Sequence, residues 1–429
     1  MSTIIVLGAG IGGVSMAYEM RELAREDDQV IVVSDSETFH FVPSNPWVAV
    51  GWRKPEQIKI PLAETLEPKG IQVITCGAKR VHPDVSMLEL TDGRSISYDH
   101  LVIATGPRLA FDEVPGLGPV QDGYTQSVCH VDHAAKAEQA WQRFVQQPGP
   151  VVVGAVQGAS CFGPAYEYAF IMDNDLRKRK IRDRVPMTFV TAEPYIGHMG
   201  LGGVGDSKGM MEKSLRERDI KWICNAKVER IESDRMYVVE CDAEGQEKKR
   251  HELPFHYSML LPAFTGVDAV RGIDKLTNPR GFILVDQHQR NPSYNNVWGI
   301  GVCIAIAPPE ATPVPTGIPK TGYMIESMVR AVAHNIRAVL DGNNTLTEAT
   351  WNAICLADMG NTGVAFVAMP QLPPRNVAWV AEGKWVHVAK IAFEKYFMRK
   401  VRKGITEPVY EKYLLKALGI NKIKDSSGV

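Results

Sequence analysis

Residues 4–34 read IIVLGAGIGGVSMAYEMRELAREDDQVIVVS, and this stretch decides the fold. An apolar strand over Ile4–Leu7 leads into a glycine loop over Gly8–Gly13. Helical spacing of apolar residues follows over Val14–Arg25, and a second apolar strand follows over Val30–Ser34. This change of hydrophobic period predicts one βαβ unit, and hence a parallel sheet covered by helices.

The glycine loop has the spacing G-x-G-x-x-G and lies directly between a strand and a helix. Such a loop lets a pyrophosphate approach the backbone at the positive end of the helix dipole. A glycine-rich turn with no nucleotide is the alternative. An acidic residue about twenty positions further on usually contacts the ribose. Ser34 and Asp35 stand there, so a hydroxyl is the candidate contact in place of a carboxylate.

Strands and helices continue to alternate along the chain, which predicts parallel sheets covered on both faces. Further strands are predicted over 101–104, 150–154, 187–190, 236–241 and 258–261, and further helices up to Tyr168 and over 208–218, 321–340, 384–403 and 409–419. Residues 308–321 contain five prolines, so an extended loop is expected there.

Composition excludes several classes of protein. With 429 residues, 45% hydrophobic and 23% charged, the chain is expected to be globular with more than one domain. A net charge of −1 argues against a generally basic nucleic-acid binder. Neither a signal peptide nor a membrane-spanning run of 18 apolar residues is visible. Seven cysteines without a C-x-x-C pair make a disulfide scaffold or a zinc site unexpected, and no metal is predicted.

A second glycine turn, residues 154–161, ends in a cysteine. Because Cys161 stands near the start of a predicted helix, the helix dipole is expected to favour its thiolate and lower its pKa. The alternative is a small buried side chain with no reactive role.

Several longer motifs resemble one family. They are F-V-P-S-N-P-W (41–47), A-T-G-P (104–107), G-A-S-C-F-G-P-A-Y-E-Y (158–168), E-P-Y-I-G-H (193–198) and P-T-G-x-P-K-T-G-Y-M (315–324). Together with the N-terminal glycine loop, they resemble the sulfide:quinone oxidoreductases, flavoproteins of the two-dinucleotide-binding-domain disulfide reductase superfamily. The resemblance extends from residue 1 to about residue 420.

This resemblance implies an α/β fold of two Rossmann-like dinucleotide-binding domains plus C-terminal amphipathic helices. The implied domains are 1–115 with 265–340 for FAD binding, 116–264 for a second Rossmann-like domain, and 341–429 for a C-terminal region at the quinone and the membrane. It also implies oxidation of hydrogen sulfide to polysulfide or elemental sulfur, with electrons passing through FAD to a membrane quinone.

The resemblance assigns the redox cysteines. Cys161 and Cys355 match the pair that hydrosulfide attacks. Cys129 matches a third cysteine, which assists the reaction or, in some members of the family, binds the flavin covalently. Glu167, His198 and His133 are candidates for proton handling, although each is equally explained as a hydrogen-bonded structural residue.

Other residues are implied to hold FAD. Lys320 is expected beside the N1/O2 edge of the flavin, where a cation stabilises negative charge. Val302 stands where many relatives in the superfamily have an aspartate, so only backbone contact is expected there. The full set implied for FAD is Gly8, Ala9, Gly10, Ile11, Gly12, Gly13, Ser34, Asp35, Val42, Pro43, Ala78, Thr105, Gly106, Pro107, Gly301, Val302, Lys320, Thr321 and Gly322.

The C-terminal end is basic and aromatic. Between residues 384 and 424 there are eleven Lys or Arg against three Glu, whereas the rest of the chain is acidic overall. This asymmetry favours amphipathic helices lying in a membrane interface, and helices packed on the body or on a second copy are the alternative. Phe393, Tyr410 and Lys390 are the implied quinone neighbours, and a homo-oligomer is an expectation from the family alone.

The main alternative function is a type II NADH:quinone oxidoreductase. Such an enzyme needs a G-x-G-x-x-G loop and an acidic residue in its second nucleotide domain. The second turn of this chain instead carries Cys161. A flavoprotein with no catalytic role at a membrane is a further alternative, which reduction of the flavin by sulfide distinguishes.

Overall fold

The computed structural model describes residues 1–343, 345–406 and 421–424. The helices are α1 (Ile11–Leu23), α2 (Asn45–Ala49), α3 (Leu62–Leu66), α4 (Val131–Phe144), α5 (Gly163–Lys178), α6 (Ser207–Glu217), α7 (Gly322–Leu340) and α8 (Lys384–Lys403). The helix expected over 409–419, and with it Tyr410, lies outside the described residues.

The strands, in chain order, are β1 (Thr3–Leu7), β2 (Gln29–Val33), β3 (Thr38–His40), β4 (Lys59–Pro61), β5 (Ile71–Ile74), β6 (Ala78–His82), β7 (Met87–Leu90), β8 (Ser95–Ser97), β9 (His100–Ile103), β10 (Arg108–Leu109), β11 (Val151–Ala155), β12 (Met187–Thr191), β13 (Ile220–Ile223), β14 (Ala226–Ile231), β15 (Arg235–Cys241), β16 (Glu247–Pro254), β17 (Tyr257–Leu261), β18 (Phe264–Thr265), β19 (Val297–Gly299), β20 (Ala353–Asp358), β21 (Gly363–Met369) and β22 (Val377–Glu382).

Two parallel sheets organise the molecule. The first has the order β19-β9-β1-β2-β5 and the second the order β13-β12-β11-β17. Their central strands are buried along nearly their whole length, as expected of parallel strands with a helix layer on each face. The prediction of an α/β fold with two Rossmann-like sheets is confirmed.

The carboxyl ends of the central strands position the candidate site. β1 leads through the glycine loop into α1, and β11 leads through the second turn into α5. Ligands of open α/β sheets bind at this edge of the sheet. The loop over residues 308–321 has neither helix nor strand, as its prolines predict, and its Pro315 carbonyl accepts a hydrogen bond from the Gly158 amide.

A C-terminal antiparallel sheet, which the sequence analysis did not predict, has the order β20-β21-β22. It packs against α8, and β20 also contacts α5 and α7. This sheet therefore brings residues beyond 350 against both parallel sheets.

Helix α8 has the predicted bounds, but its charges are arranged differently from the expectation. Lys390 and Lys400, which were expected to contribute to a basic membrane surface, are buried and paired with Glu167 and Glu326. The reason is that α8 packs on the body of the protein, and a carboxylate partner offsets the cost of removing an ammonium group from water.

Candidate active site

Three cysteines that are distant in sequence lie close together. Cys161 stands in the turn before α5, Cys355 lies in β20 opposite Phe366, and Cys129 lies two residues before the start of α4. The Cys161 thiol interacts electrostatically with both Cys355 and Cys129, so the fold brings the predicted redox cysteines to one place. All three are free thiols.

The pKa values of these thiols differ from the expectation of a lowered pKa. Burial raises the pKa of Cys161 to about 12, and burial likewise raises those of Cys129 and Cys355 to about 11. The expectation for Cys161 was wrong because removal from water destabilises the thiolate more than the start of α5 stabilises it. A neighbouring cation would therefore favour the thiolate form here.

A buried ion pair supplies that cation. Nζ of Lys390 donates to both carboxylate oxygens of Glu167, at 2.8 and 2.9 Å, and to the Leu356 carbonyl at 3.1 Å. Lys390 lowers the pKa of both Cys161 and Cys355, whereas Glu167 raises them. Burial raises the pKa of the Glu167 carboxyl, and the Lys390 ammonium opposes this rise. Lys390 and Glu167 are therefore the charged side chains that act on the thiols of Cys161 and Cys355.

Asp358, at the end of β20, fixes the elements around that pair. Its fully buried carboxylate accepts hydrogen bonds from Nε1 of Trp47, at 2.7 Å, and from the Gly360 amide. Its Oδ1 lies 2.7 Å from Nδ1 of His387. Asp358 thus joins β20, which carries Cys355, to α2 and to α8. The sequence analysis missed it, although it follows Cys355 by three residues in the motif C-L-A-D.

Lys320 lies at the end of the proline-rich loop, immediately before α7. Burial lowers the pKa of its ammonium to about 8, and the groups that oppose this shift are the thiols of Cys303 and Cys161. Its Nζ lies 5.2 Å from the centre of the Phe282 ring. The first turn of α7 contains no acidic residue, so the helix dipole and Lys320 make this a positive region beside the cysteines.

The glycine loop has the shape of a phosphate cradle. Gly8 has φ +110°, and a Cβ on it would stand 2.4 Å from the Ala104 carbonyl oxygen. By contrast, a Cβ on Gly10 or Gly106 would meet nothing within 4 Å. The loop is thus packed tightly at its base on the end of β9 and open at its tip. This open space at the start of α1 fits the pyrophosphate of a dinucleotide.

The other residues predicted for the cofactor lie at several strand ends. Ser34 is buried after β2 and its Oγ accepts a hydrogen bond from the Ser36 amide, whereas Asp35 is exposed. Gly301 and Val302 lie in a single helical turn after β19. The remaining positions are Val42 and Pro43 in a turn before α2, Ala78 at the start of β6, Thr105, Gly106 and Pro107 after β9, and Thr321 and Gly322 at the start of α7.

The two candidate histidines make contacts of their own. His198 is buried and its Nε2 lies 2.7 Å from Oε1 of Glu310, which belongs to the proline-rich loop. His133 contacts His130 and Phe111, and burial lowers its pKa to about 4. The contacts described for these two residues join them to neighbouring segments, whereas Glu167 interacts electrostatically with the thiols of Cys161 and Cys355.

Phe393 lies on α8 in an aromatic cluster. Its ring centre is 5.7 Å from that of Phe41 and 6.0 Å from that of Phe397. It remains 36% exposed, so one side of the ring is accessible from outside. Lys390 and Phe393 lie on consecutive turns of α8. This helix therefore connects the cysteine site to the accessible Phe393 ring.

The chain is similar to known proteins over its whole length. Residues 2–334 match the family model described as pyridine nucleotide-disulphide oxidoreductase. The chain is 42% identical to the sulfide-quinone reductase of Aquifex aeolicus, over 99% of this chain and 98% of that protein. The crystal structure of the sulfide:quinone oxidoreductase from the same bacterium superimposes with a TM-score of 0.94 and covers 100% of this chain and 99% of that one.

A more distant structure has the same fold. NDH2 from Plasmodium falciparum in complex with NADH superimposes with a TM-score of 0.71 at 14% identity, covering 99% of this chain and 100% of that one. At this identity the likeness shows the fold alone. The family match and the full-length identity show more than the fold. This chain belongs to the pyridine nucleotide-disulphide oxidoreductase family and, within it, to the sulfide-quinone reductases.

Proposed function

We propose that this protein oxidises sulfide at Cys161 and Cys355 and passes the electrons through bound FAD to a membrane quinone. The observation that carries the proposal is that the buried Cys161 thiol interacts electrostatically with the Cys355 thiol, and that both interact with the Lys390–Glu167 ion pair. The family implies a flavin, and the full-length relationship to a sulfide-quinone reductase supports the two substrates.

Sulfide enters the reaction as a nucleophile. In the oxidised protein, hydrosulfide attacks one sulfur of a Cys161–Cys355 bridge, so that the bridge breaks, a persulfide forms on one cysteine and the other leaves as a thiolate. Lys390 stabilises the new negative charge, because its ammonium lowers the pKa of both thiols. Glu167, whose pKa is raised by burial, is suited to accept the proton released from hydrosulfide.

The glycine cradle and Lys320 fit a flavin dinucleotide. The open space at Gly10 would take the pyrophosphate and Ser34 would lie near the ribose. Lys320, at the start of α7, would lie near the part of the flavin that accumulates negative charge. When bound, FAD supplies a two-electron acceptor for the cysteine site and a two-electron donor for quinone. Lys320 would bind and orient it, because a buried ammonium is stabilised by an anion beside it.

The outer part of α8 and the strand before it supply the membrane contact. Trp385 and Val388 on α8 are 51% and 63% exposed, and Val377 and Trp379 of β22 are exposed beside them in the chain. Lys395, Arg399, Arg402 and Lys403 form an exposed basic stretch further along α8. Exposed aromatic and basic side chains of this kind suit a peripheral contact with anionic lipid. None of the described helices is long and apolar enough to cross a membrane.

We also propose the division into residues 1–115 with 265–340, 116–264 and 341–429. It is supported by the strands of the five-stranded sheet, which come from before residue 104 and after residue 296, whereas those of the four-stranded sheet lie between 151 and 261.

An anaerobic titration tests the function. Sulfide is added to the purified flavin-loaded protein while the visible flavin absorbance is followed, and decylubiquinone is then added. Bleaching by sulfide and recovery with quinone are expected, with no bleaching by NADH. Bleaching by NADH alone would assign the protein to the type II NADH:quinone oxidoreductases, and no bleaching by sulfide would leave a flavoprotein without this catalytic role.

A further inference from the structure

The side chain of Gln371 spans the backbone on both sides of Lys320. Its Nε2 donates a hydrogen bond to the Pro319 carbonyl, and its Oε1 accepts one from Oγ1 of Thr321 at 3.3 Å. Gln371 is completely buried. One amide therefore holds the residue before and the residue after the lysine.

Gln371 is itself fixed by its own backbone. Its amide donates to the Trp351 carbonyl at 2.8 Å, and its carbonyl accepts from Nε of Arg375 at 2.8 Å. The two terminal nitrogens of Arg375 donate to the carbonyls of Gly203 and Leu201, at 2.7 and 2.6 Å. Every backbone and side-chain polar group of Gln371 is thus engaged, and the residue has a defined position from which to hold its neighbours.

Lys320 has no comparable anchor of its own. Among the described residues, the groups that act on its buried ammonium are thiols, and its ring contact is with Phe282. A lysine side chain with four rotatable bonds is placed either by an ion pair or by the backbone from which it projects. Among the described residues no carboxylate forms an ion pair with Lys320, so the turn held by Gln371 is what directs its side chain.

The same C-terminal sheet carries a redox cysteine. Gln371 follows β21, and β21 pairs with β20 so that Phe366 lies opposite Cys355. From these contacts we infer that Gln371 is a positioning residue that places Lys320 against the bound flavin, so that one sheet sets both Cys355 and the cation of the cofactor site. This inference rests on the proposed function, in which Lys320 faces FAD.

The reduction potential of the bound flavin tests the inference. A cation near the anionic reduced ring raises that potential, so Lys320→Met is expected to lower it. Gln371→Met removes both amide contacts at a similar side-chain length and is expected to shift the potential in the same direction by a smaller amount. The double variant is expected to have the potential of Lys320→Met alone, because Gln371 acts through the lysine. Each potential is measured on the flavin-loaded protein against reference dyes.

A buried amide elsewhere provides the matched control. Asn335 donates to the His288 and Thr347 carbonyls and accepts from Thr347. Asn335→Ala is therefore expected to lower the melting temperature without moving the flavin potential. If Gln371→Met does not fold, Thr321→Val, which removes only the hydroxyl donor to Gln371, is expected to show the same downward shift in part.

The outcomes separate the inference from the function on which it rests. A shift in Lys320→Met with none in Gln371→Met or Thr321→Val overturns the inference and leaves the proposed function standing. A double variant whose shift is the sum of the two single shifts also overturns it, since Gln371 would then act independently of Lys320. No shift in Lys320→Met refutes the placement of Lys320 at the flavin, and sulfide titration still tests the proposed reaction separately.

Discussion

Glu167 and Lys390 form a two-pronged ion pair in the interior of the protein, each with only 6% of its side chain exposed. Glu167 lies on α5, which follows Cys161, and Lys390 lies on α8, beyond the strand that carries Cys355. The pair therefore joins the two halves of the cysteine site. Two charges removed from water stabilise a structure only while both are present.

Removal of one member of this pair is expected to destabilise the protein strongly. Lys390→Met leaves the Glu167 carboxylate buried without its partner, which costs about 3–5 kcal/mol in the free energy of unfolding. The double variant Glu167→Gln with Lys390→Met is expected to recover much of that loss. Denaturant unfolding of the three proteins measures this, and a double variant no more stable than Lys390→Met would contradict it. Sulfide is expected to reduce the flavin slowly in both variants.

Substitution of either redox cysteine is expected to abolish reduction of the flavin by sulfide. Cys161→Ser and Cys355→Ser each prevent the bridge from forming, so hydrosulfide has no sulfur to attack. Cys241→Ala, in β15 away from the cysteine site, is the matched control and is expected to bleach as the unchanged protein does. The visible flavin absorbance of the three variants, followed anaerobically while sulfide is added, tests this prediction. Full bleaching in Cys355→Ser would refute the assigned pair.

The glycine loop yields a prediction about cofactor retention. A side chain at Gly10 points into open space, so Gly10→Val is expected to fold but to lose bound flavin, because the branched side chain occupies the pyrophosphate position. At Gly13 a Cβ would stand 1.9 Å from the Gly8 carbonyl oxygen, so Gly13→Ala is expected to lose stability as well. Flavin-to-protein absorbance ratios and melting temperatures check both. Normal flavin content in Gly10→Val would rule out this site.

Glu193 is expected to make stability depend on pH. Its carboxylate accepts hydrogen bonds from Tyr166, Thr191 and the Met199 amide, and burial raises its pKa from 4.5 to about 7. The folded protein holds the proton of the Glu193 carboxyl more tightly than the unfolded chain does. Its contribution to the free energy of unfolding is therefore complete below about pH 4.5 and is lost as the pH rises through about 7.

As the pH rises from about 4.5 to above 7, the unchanged protein should therefore lose up to about 3 kcal/mol of unfolding free energy relative to Glu193→Gln. Unfolding free energies of the two proteins, measured across the range, give the difference. A difference that does not change with pH, or one that grows in favour of Glu193 as the pH rises, would show that the carboxyl is not protonated in the folded state.

The exposed residues at the start of α8 are expected to bind lipid. The double variant Trp385→Ser with Val388→Ser should sediment less with anionic phospholipid vesicles and retain its bleaching by sulfide. Val85, which is 65% exposed on a different part of the molecule, provides the control Val85→Ser. Equal loss of vesicle binding in the control would indicate a non-specific apolar effect in place of a defined membrane contact.

Local patterns predicted the parallel sheets but not the C-terminal one. The βαβ unit at the N-terminus and helix α8 were predicted because their apolar residues recur at a single period. The strands β20, β21 and β22 were missed, since short apolar runs between glycines and prolines do not distinguish strand from loop. Helix α5 continues past Tyr168 to Lys178, where the buried Asp173 and Asp175 accept hydrogen bonds from Arg177 and Trp141.

By itself, the sequence determined the N-terminal dinucleotide loop and the glycine turn that carries Cys161, because these depend on residue types at short fixed spacings. The resemblance of its longer motifs to a family supplied the candidate redox cysteines. The tertiary structure alone decided that Lys390 is buried against Glu167 and does not face outward, and that burial and not the helix start sets the pKa of Cys161. It alone also showed that Gln371 bonds to the residues on both sides of Lys320. The physical reason is that desolvation and ion pairing depend on which residues meet in space, and residues nearly two hundred positions apart meet only after folding.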